Sequence, residues 1–329
     1  PIFMTNDVFV AQDKHGKCLC SIGSKFEVVT RKTREGDGLW ERCINCGLVV
    51  NRKGVLKEEF KDFYNIDYQK SNSFSRGKEI TPKEHYDIAI NSMKPVAEYL
   101  KPYLKNDWRV MDIGAATGEF LDLIKNYVAY CFGVEANNDY CQFMQEELGI
   151  DATSDDYITL ELDKKFDLIV INATIDHMYN SLSVLDKIAY DLKPGGMIYI
   201  QTPNDNQALR KFLPEPNRRL FEIFMYQKAH YLSFSMKTLK IALKQAGFNI
   251  IETSSRHDYT LKNFLQWYYL GIPQEEIYQA KVAGEFFTGK DNFSLEINKL
   301  LFDVDKKFHG LLERHNAGEL LCVTAKLPK

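Results

Sequence analysis

The sequence predicts an α/β protein built on a parallel sheet with helices on both faces. Three observations carry that prediction. From residue 83 onward, short apolar runs alternate with longer amphipathic ones, the pattern of strands joined by helical crossovers. The short runs, such as FDLIVINA, are apolar almost throughout, as strands are when both faces are covered. The ends of several runs carry glycine, carboxylate or asparagine, residue types suited to ligands at the carboxyl edge of such a sheet.

The elements follow in order. Residues 1–80 form a cysteine-bearing segment and linker: four early cysteines, a short aromatic helix in KEEFKDFYNIDYQ, then the polar tract KSNSFSRGKEITP. The main domain is expected over 81–329. EHYDIAINSMKPVAEYLKPYL reads as helical, with Pro95 and Pro102 breaking it or starting turns. WRVMDIG (strand), GEFLDLIKNY (helix), AYCFGVEA (strand) and DYCQFMQEELG (helix) come next. A third strand should end near ATSDDYITL, and FDLIVINA, SLSVLDKIAYDL and MIYIQT supply strand, helix and strand, with LKPGG a tight turn feeding the last of these. SMKTLKIALKQAGF is an amphipathic helix capped by Ser235 and closed by Gly247, followed by the strand NIIETSS. Between residues 255 and 318 lies a mostly helical, aromatic-rich insert before the final strand ELLCVTAKL.

Bulk properties narrow the function. The chain has 329 residues, 45% hydrophobic and 26% charged, with a formal charge of −3, which argues against a nucleic-acid platform driven by overall charge. No run approaches the roughly 18 apolar residues of a membrane span, and the N-terminus lacks the basic end and apolar core of a signal peptide. A cytoplasmic setting is therefore expected, in which the seven cysteines stay reduced and a cluster of them points to metal.

The informative stretch is VMDIGAATGEF, Val110 to Phe120. It resembles a dinucleotide loop, yet Asp112 sits at the strand tip, where a pyrophosphate would meet an unfavourable charge. A ligand with ammonium and sulfonium groups reverses that sign, and S-adenosylmethionine carries both without any phosphate. Glu135, at the end of the next strand, is placed to accept hydrogen bonds from ribose hydroxyls. Asp155 and Asp156 fall at the third strand's end, in reach of an adenine amino group, and Asn172 closes the fourth strand.

DIGAATGEF, GVEANN, FDLIVINATIDHM and LKPGGMIYIQTPN together resemble the ordered motifs of class I S-adenosylmethionine-dependent methyltransferases. The resemblance covers roughly residues 85–255 and resumes in the closing strand. It implies a Rossmann-like seven-stranded methyltransferase sheet whose last strand is antiparallel. It also implies roles for Asp112, Gly114 and Gly118 at the methionine moiety, Glu135 at ribose and Asp155 at adenine. Ala116 departs from the family's middle glycine, and its methyl narrows the backbone's approach to the cofactor.

RCINCGLVV is a CxxCG knuckle whose Cys43 and Cys46 can grip one zinc. The upstream pair, Cys18 and Cys20, is one residue short of the same spacing, and His15 stands at the normal distance from Cys18, so the fourth ligand stays open. This segment resembles the zinc-ribbon N-terminus of bacterial sugar and natural-product methyltransferases. Cys131, Cys141 and Cys322 read as buried small hydrophobes.

Methyl transfer needs alignment and, for a weakly acidic nucleophile, a base. His177, five residues beyond the fourth strand, is one candidate. MYQKAHYLSFS resembles the His-containing motif of sugar C-methyltransferases, which implies roles for His230 and Tyr226. Each of these has a structural alternative: orienting a loop for His177, capping or stacking for His230, packing for Tyr226. His257, His309 and His315 read as surface residues without a role. The insert's aromatics, Trp267, Tyr268, Tyr269, Phe286 and Phe287, suit either a lid over a small-molecule acceptor or a packed subdomain or homodimer face.

Two rival readings stand beside methyl transfer. One is a zinc-ribbon module for nucleic acid or protein fused to a non-catalytic adenosyl-binding domain. Against it, residues 1–80 hold 14 Lys+Arg and 11 Asp+Glu, a small excess. The other is a nicotinamide oxidoreductase, disfavoured by Asp112 and by the missing GxGxxG.

Overall fold

The computed structural model describes residues 19–20, 25–54, 80–179, 181–274, 281 and 287–329. Its centre is a seven-stranded sheet in the order β10-β11-β8-β7-β4-β5-β6. The strands are β4 (Arg109–Ile113), β5 (Tyr130–Val134), β6 (Asp151–Thr153), β7 (Phe166–Asn172), β8 (Leu192–Pro203), β10 (Asn249–Arg256) and β11 (Leu320–Lys326). Pairs from β6 through β8 are parallel, and β11 runs antiparallel to both β8 and β10. The crossover direction switches where β4 lies between β5 and β7, so the ligand crevice opens beyond Ile113 and Asn172.

Helices cover both faces, and the core divides accordingly. Helices α1 (Pro82–Leu100), α2 (Glu119–Ile124) and α3 (Asn138–Glu146) pack Val96, Leu100, Phe120, Leu121 and Met144 against one face. Helices α4 (Ser181–Asp191) and α7 (Met236–Gln245) cover the other with Leu185, Ile188, Leu239 and Leu243. Between them in sequence lie α5 (Ala208–Phe212) and α6 (Asn217–Met225). The insert contributes α8 (Leu261–Leu270) and the long α9 (Asn292–Arg314).

A second, antiparallel sheet has the order β1-β2-β3-β9, from β1 (Phe26–Thr33), β2 (Gly36–Cys43), β3 (Val49–Asn51) and β9 (Leu232–Ser233). Its fourth strand comes from the polypeptide after α6, so the N-terminal segment is built into the larger domain's surface. Leu48 and Val50 join the same core as α4 and α7. Arg42 of β2 reaches Asp205 at 2.9 Å, and that carboxylate, fully buried, also pairs with Arg210.

Several local expectations change. Pro95 does not break α1, which runs continuously across it. The proline is exposed, so the carbonyl it cannot bond meets solvent. Pro102 does enter a turn, the 3-10 turn Lys101–Tyr103. LKPGG is taken into β8, with Gly195 at φ +74° and its N–H bonded to Pro328. His257 is not a surface residue: it is 5% exposed and sits 2.5 Å from Glu319, where the ends of β10 and β11 meet. The helix expected in KEEFKDFYNIDYQ and most of the polar tract lie outside the described residues.

Candidate functional site

The loop after β4 is shaped by three left-handed residues, Gly114 (φ +76°), Ala116 (φ +47°) and Gly118 (φ +87°). Gly114 and Ala115 both donate to the Val134 carbonyl, at 2.7 and 3.1 Å, which curls the loop over the end of β5. Two of the glycines are required sterically as well. A Cβ on Gly114 would fall 2.1 Å from Thr174 Oγ1, and one on Gly118 would fall 2.6 Å from Met144 Cγ. Ala116 holds the same left-handed region with a side chain, at a cost of about 1 kcal/mol. Its N–H donates to Glu135 Oε2 at 3.0 Å, which keeps it there.

Asp112 is 4% exposed, and its Oδ1 has no hydrogen-bond partner among the described residues. Burial, with Glu119 and Glu135 nearby, pushes its carboxyl well above the usual range. Glu135 accepts from the N–H groups of Ala116 and Asn137, each at 3.0 Å. Burial raises its carboxyl to about 7, although those two bonds pull it down. The loop therefore brings two acids, Asp112 and Glu135, to one crevice, where a carboxylate attracts a cation and repels phosphate.

Sequence reasoning missed the group beneath this loop. His85 of α1 lies 3.1 Å from Glu119 and 3.2 Å from Thr117, all three buried. The available signal was Glu119, an acid directly after the loop's last glycine and inside an apolar helix. At the third strand's end, Asp155 accepts from Thr153 at 2.7 Å and Asp156 from the Tyr179 hydroxyl at 2.6 Å, both acids exposed. Asn172 ends β7 with its amide 3.2 Å from Met93 Sδ, while its Oδ1 is buried without a hydrogen-bond partner among the described residues.

The two candidate histidines come together. Their rings meet edge to face at 4.3 Å between centroids. Asp176 lies beside both, with Oδ2 at 3.8 Å from His177 Nε2 and 3.4 Å from His230 Nε2. His177 and Asp176 share the single 3-10 turn after β7, Ile175–His177. His230 is held by the small sheet: Asn51 Nδ2 donates to its carbonyl at 2.8 Å, and the neighbouring Tyr231 exchanges backbone bonds with Asn51 and Asp176. Burial lowers both imidazoles, His230 to about 3.

Tyr226 is placed elsewhere. It is 1% exposed, stacks on Trp40 at 4.6 Å and donates to Asp205 Oδ1 at 2.7 Å. Those are the contacts of a buried tyrosine tying two sheets together. In the insert, Trp267 packs on Phe221 and Phe224, whereas Tyr269 is 73% exposed. Phe286 lies outside the described residues.

The thiols of Cys20, Cys43 and Cys46 lie within 4.8 Å of one another. Cys20 and Cys43 are 3.7 Å apart, and the Leu48 N–H points to Cys46 Sγ at 3.5 Å. Gly47, at φ +86°, makes the turn of the knuckle. Three converging thiols with an N–H aimed at one sulfur fit a zinc ion. Cys18 and His15 fall outside the described residues. Cys131, Cys141 and Cys322 are buried in the core, as expected.

A sheet in this order, with an acid-tipped glycine loop at its switch point, defines the Rossmann-like fold of S-adenosylmethionine-dependent methyltransferases. Residues 83–253 match the family described as methyltransferase domain, and the chain belongs to that family. No curated protein sequence matches it. Similar solved structures include a complex between a methyltransferase activator and a methyltransferase from Haloferax volcanii, at 15% identity and TM-score 0.49, covering 84% of this chain and 100% of the other. An Archaeoglobus fulgidus S-adenosylmethionine-dependent methyltransferase follows at 22% identity and TM-score 0.43, covering 71% and 94%. The N-methyltransferase NodS of Bradyrhizobium japonicum, in complex with S-adenosylhomocysteine, is similar at 12% identity and TM-score 0.43, covering 80% and 96%.

Proposed function

We propose that this methyltransferase moves the methyl group of S-adenosylmethionine to a hydroxyl or carbon of a small molecule such as a sugar. The observation that carries the reading is Asp112, a buried carboxylate at the switch point with one oxygen lacking a hydrogen-bond partner among the described residues. An ammonium group supplies both the missing hydrogen bond and the balancing charge. Gly114, Ala116 and Gly118 shape the loop against the methionine moiety. Glu135 accepts the ribose hydroxyls, Asp155 and Asp156 face the adenine edge, and Asn172 adds a further polar group at the crevice.

In the transfer, the acceptor's nucleophilic atom bonds to the methyl carbon. The carbon–sulfur bond breaks with its pair going to sulfur, leaving neutral S-adenosylhomocysteine, and the acceptor releases a proton. His177 and His230, beside Asp176, are the groups placed to assist that release. Tyr226 has a packing role against Trp40 and Asp205. Residues 1–80 act as a platform whose Cys20, Cys43 and Cys46, with Cys18 or His15, hold a structural zinc, and residues 255–318 act as a lid on the acceptor. Isothermal titration tests the donor: S-adenosylhomocysteine is expected to bind one per chain, and no heat with either adenosyl ligand would sink the reading.

A further inference from the structure

The groups assigned above to proton release have a geometry that proton transfer alone does not require. Asp176 Oδ2 stands 3.4 Å from His230 Nε2 and 3.8 Å from His177 Nε2, and ligand atoms of all three residues lie within 4.8 Å of one another. Their side chains are no more than 12% exposed. Asp176 Oδ1 is anchored by the Thr202 hydroxyl at 3.1 Å, while Oδ2, near both rings, is buried without a hydrogen bond among the described residues. A buried carboxylate oxygen without a donor is costly unless a cation completes it.

We propose that Asp176, His177 and His230 form a binding site for a divalent transition-metal ion that coordinates the acceptor's oxygen. Two nitrogens and one carboxylate oxygen are the donor set of open catalytic sites, with remaining positions left for water or substrate. The spacing suits it. A point midway between atoms 3.4–3.8 Å apart is slightly closer than the roughly 2.0–2.2 Å of metal–nitrogen and metal–oxygen bonds, so one ion reaches the carboxylate and either ring.

Three separate parts of the fold converge to make the site. The turn after β7 brings Asp176 and His177, Thr202 of β8 fixes the carboxylate, and the β3–β9 pairing brings His230. The chemistry follows from the proposed methyl transfer, on which this inference rests for the acceptor's place. An acceptor hydroxyl bound to the ion has a lowered pKa and gives its proton to solvent. Its oxygen then attacks the methyl carbon as the carbon–sulfur bond breaks toward sulfur. The histidines hold the ion instead of taking the proton, and the acceptor class is one with an oxygen able to bind metal.

Cobalt(II) is the probe, because its absorption separates nitrogen and oxygen ligation from the thiolate bands that the cysteine cluster would produce. The full chain is titrated with Co2+, and S-adenosylhomocysteine binding is measured in parallel. One ion per chain with nitrogen/oxygen-type absorption is expected. His177→Ala and His230→Ala are each expected to weaken that ion at least about tenfold while S-adenosylhomocysteine binds as before. His230→Ala leaves the backbone carbonyl that Asn51 holds, so the fold is kept. Cobalt bound only with thiolate bands, or equally by wild type and both variants, overturns the metal site. Absence of S-adenosylhomocysteine binding by the wild type overturns the methyl-transfer reading instead.

Discussion

Asp112 and Glu135 are two carboxyls that burial pushes upward, each helped by the nearby Glu119. Asp112 Oδ1 has no hydrogen-bond partner among the described residues, whereas Glu135 accepts two backbone N–H bonds that pull it back down. Removing the charge with Asp112→Asn is expected to weaken S-adenosylhomocysteine about tenfold to a hundredfold, the worth of a hydrogen bond between charged groups. The same variant should keep or raise the melting temperature, since it deletes an unpaired buried acid; a large loss of stability would contradict this account. For Glu135, the folded value near 7 lies above the ordinary 4.5, so the folded protein holds this proton more tightly. Stability of the free protein is therefore expected to fall as pH rises from about 4.5 to about 7. Affinity for S-adenosylhomocysteine rises over the same range, as the carboxylate becomes available to ribose. Glu135→Gln should flatten both trends in melting and titration series.

At the scale of elements, the strands and caps follow from local residue choices. Ser235 begins α7 as a capping box: its hydroxyl accepts from the Thr238 N–H at 3.3 Å, and Thr238 Oγ1 accepts from the Ser235 N–H at 2.9 Å. Ser235→Ala is expected to cost about 1 kcal/mol, read as a lower midpoint in urea. The short strand β9 shows the opposite case. Two residues, Leu232 and Ser233, carry no periodic signal, and they become a strand only because β3 offers its open edge. Pro95 likewise reads as a break locally, yet the burial of Val96, Ala97 and Leu100 on the same helix outweighs one lost hydrogen bond.

For the whole molecule, the small sheet and the large one share a core and a buried charge network. Arg42, Arg210 and Tyr226 all converge on Asp205, and Asn51 anchors His230. Order in the N-terminal sheet is therefore transmitted to the candidate site. Native mass spectrometry is expected to find one zinc per chain, and a strong chelator should speed proteolysis within residues 26–51 while 83–253 resists. Recovery of the full chain without zinc, equally resistant with or without chelator, would rule the structural metal out.

The sequence by itself determined the alternation of strands and helices, the loop with Asp112 at its tip and the pairing of Glu135 with the next strand. These are local: residue periodicity selects the elements, and a carboxylate at a strand end lies in the crevice wherever a parallel sheet forms. The cysteine knuckle was legible for the same reason, through spacing within one turn. Only the tertiary structure decided that His85 and Glu119 meet, that Tyr226 is spent on Asp205, and that Asp176 completes His177 with His230. Those contacts join residues 21 to 54 positions apart: His85 meets Glu119 where α1 packs beside α2, while Tyr226 and His230 are held through Trp40 and Asn51 of the small sheet, and no local pattern encodes either meeting.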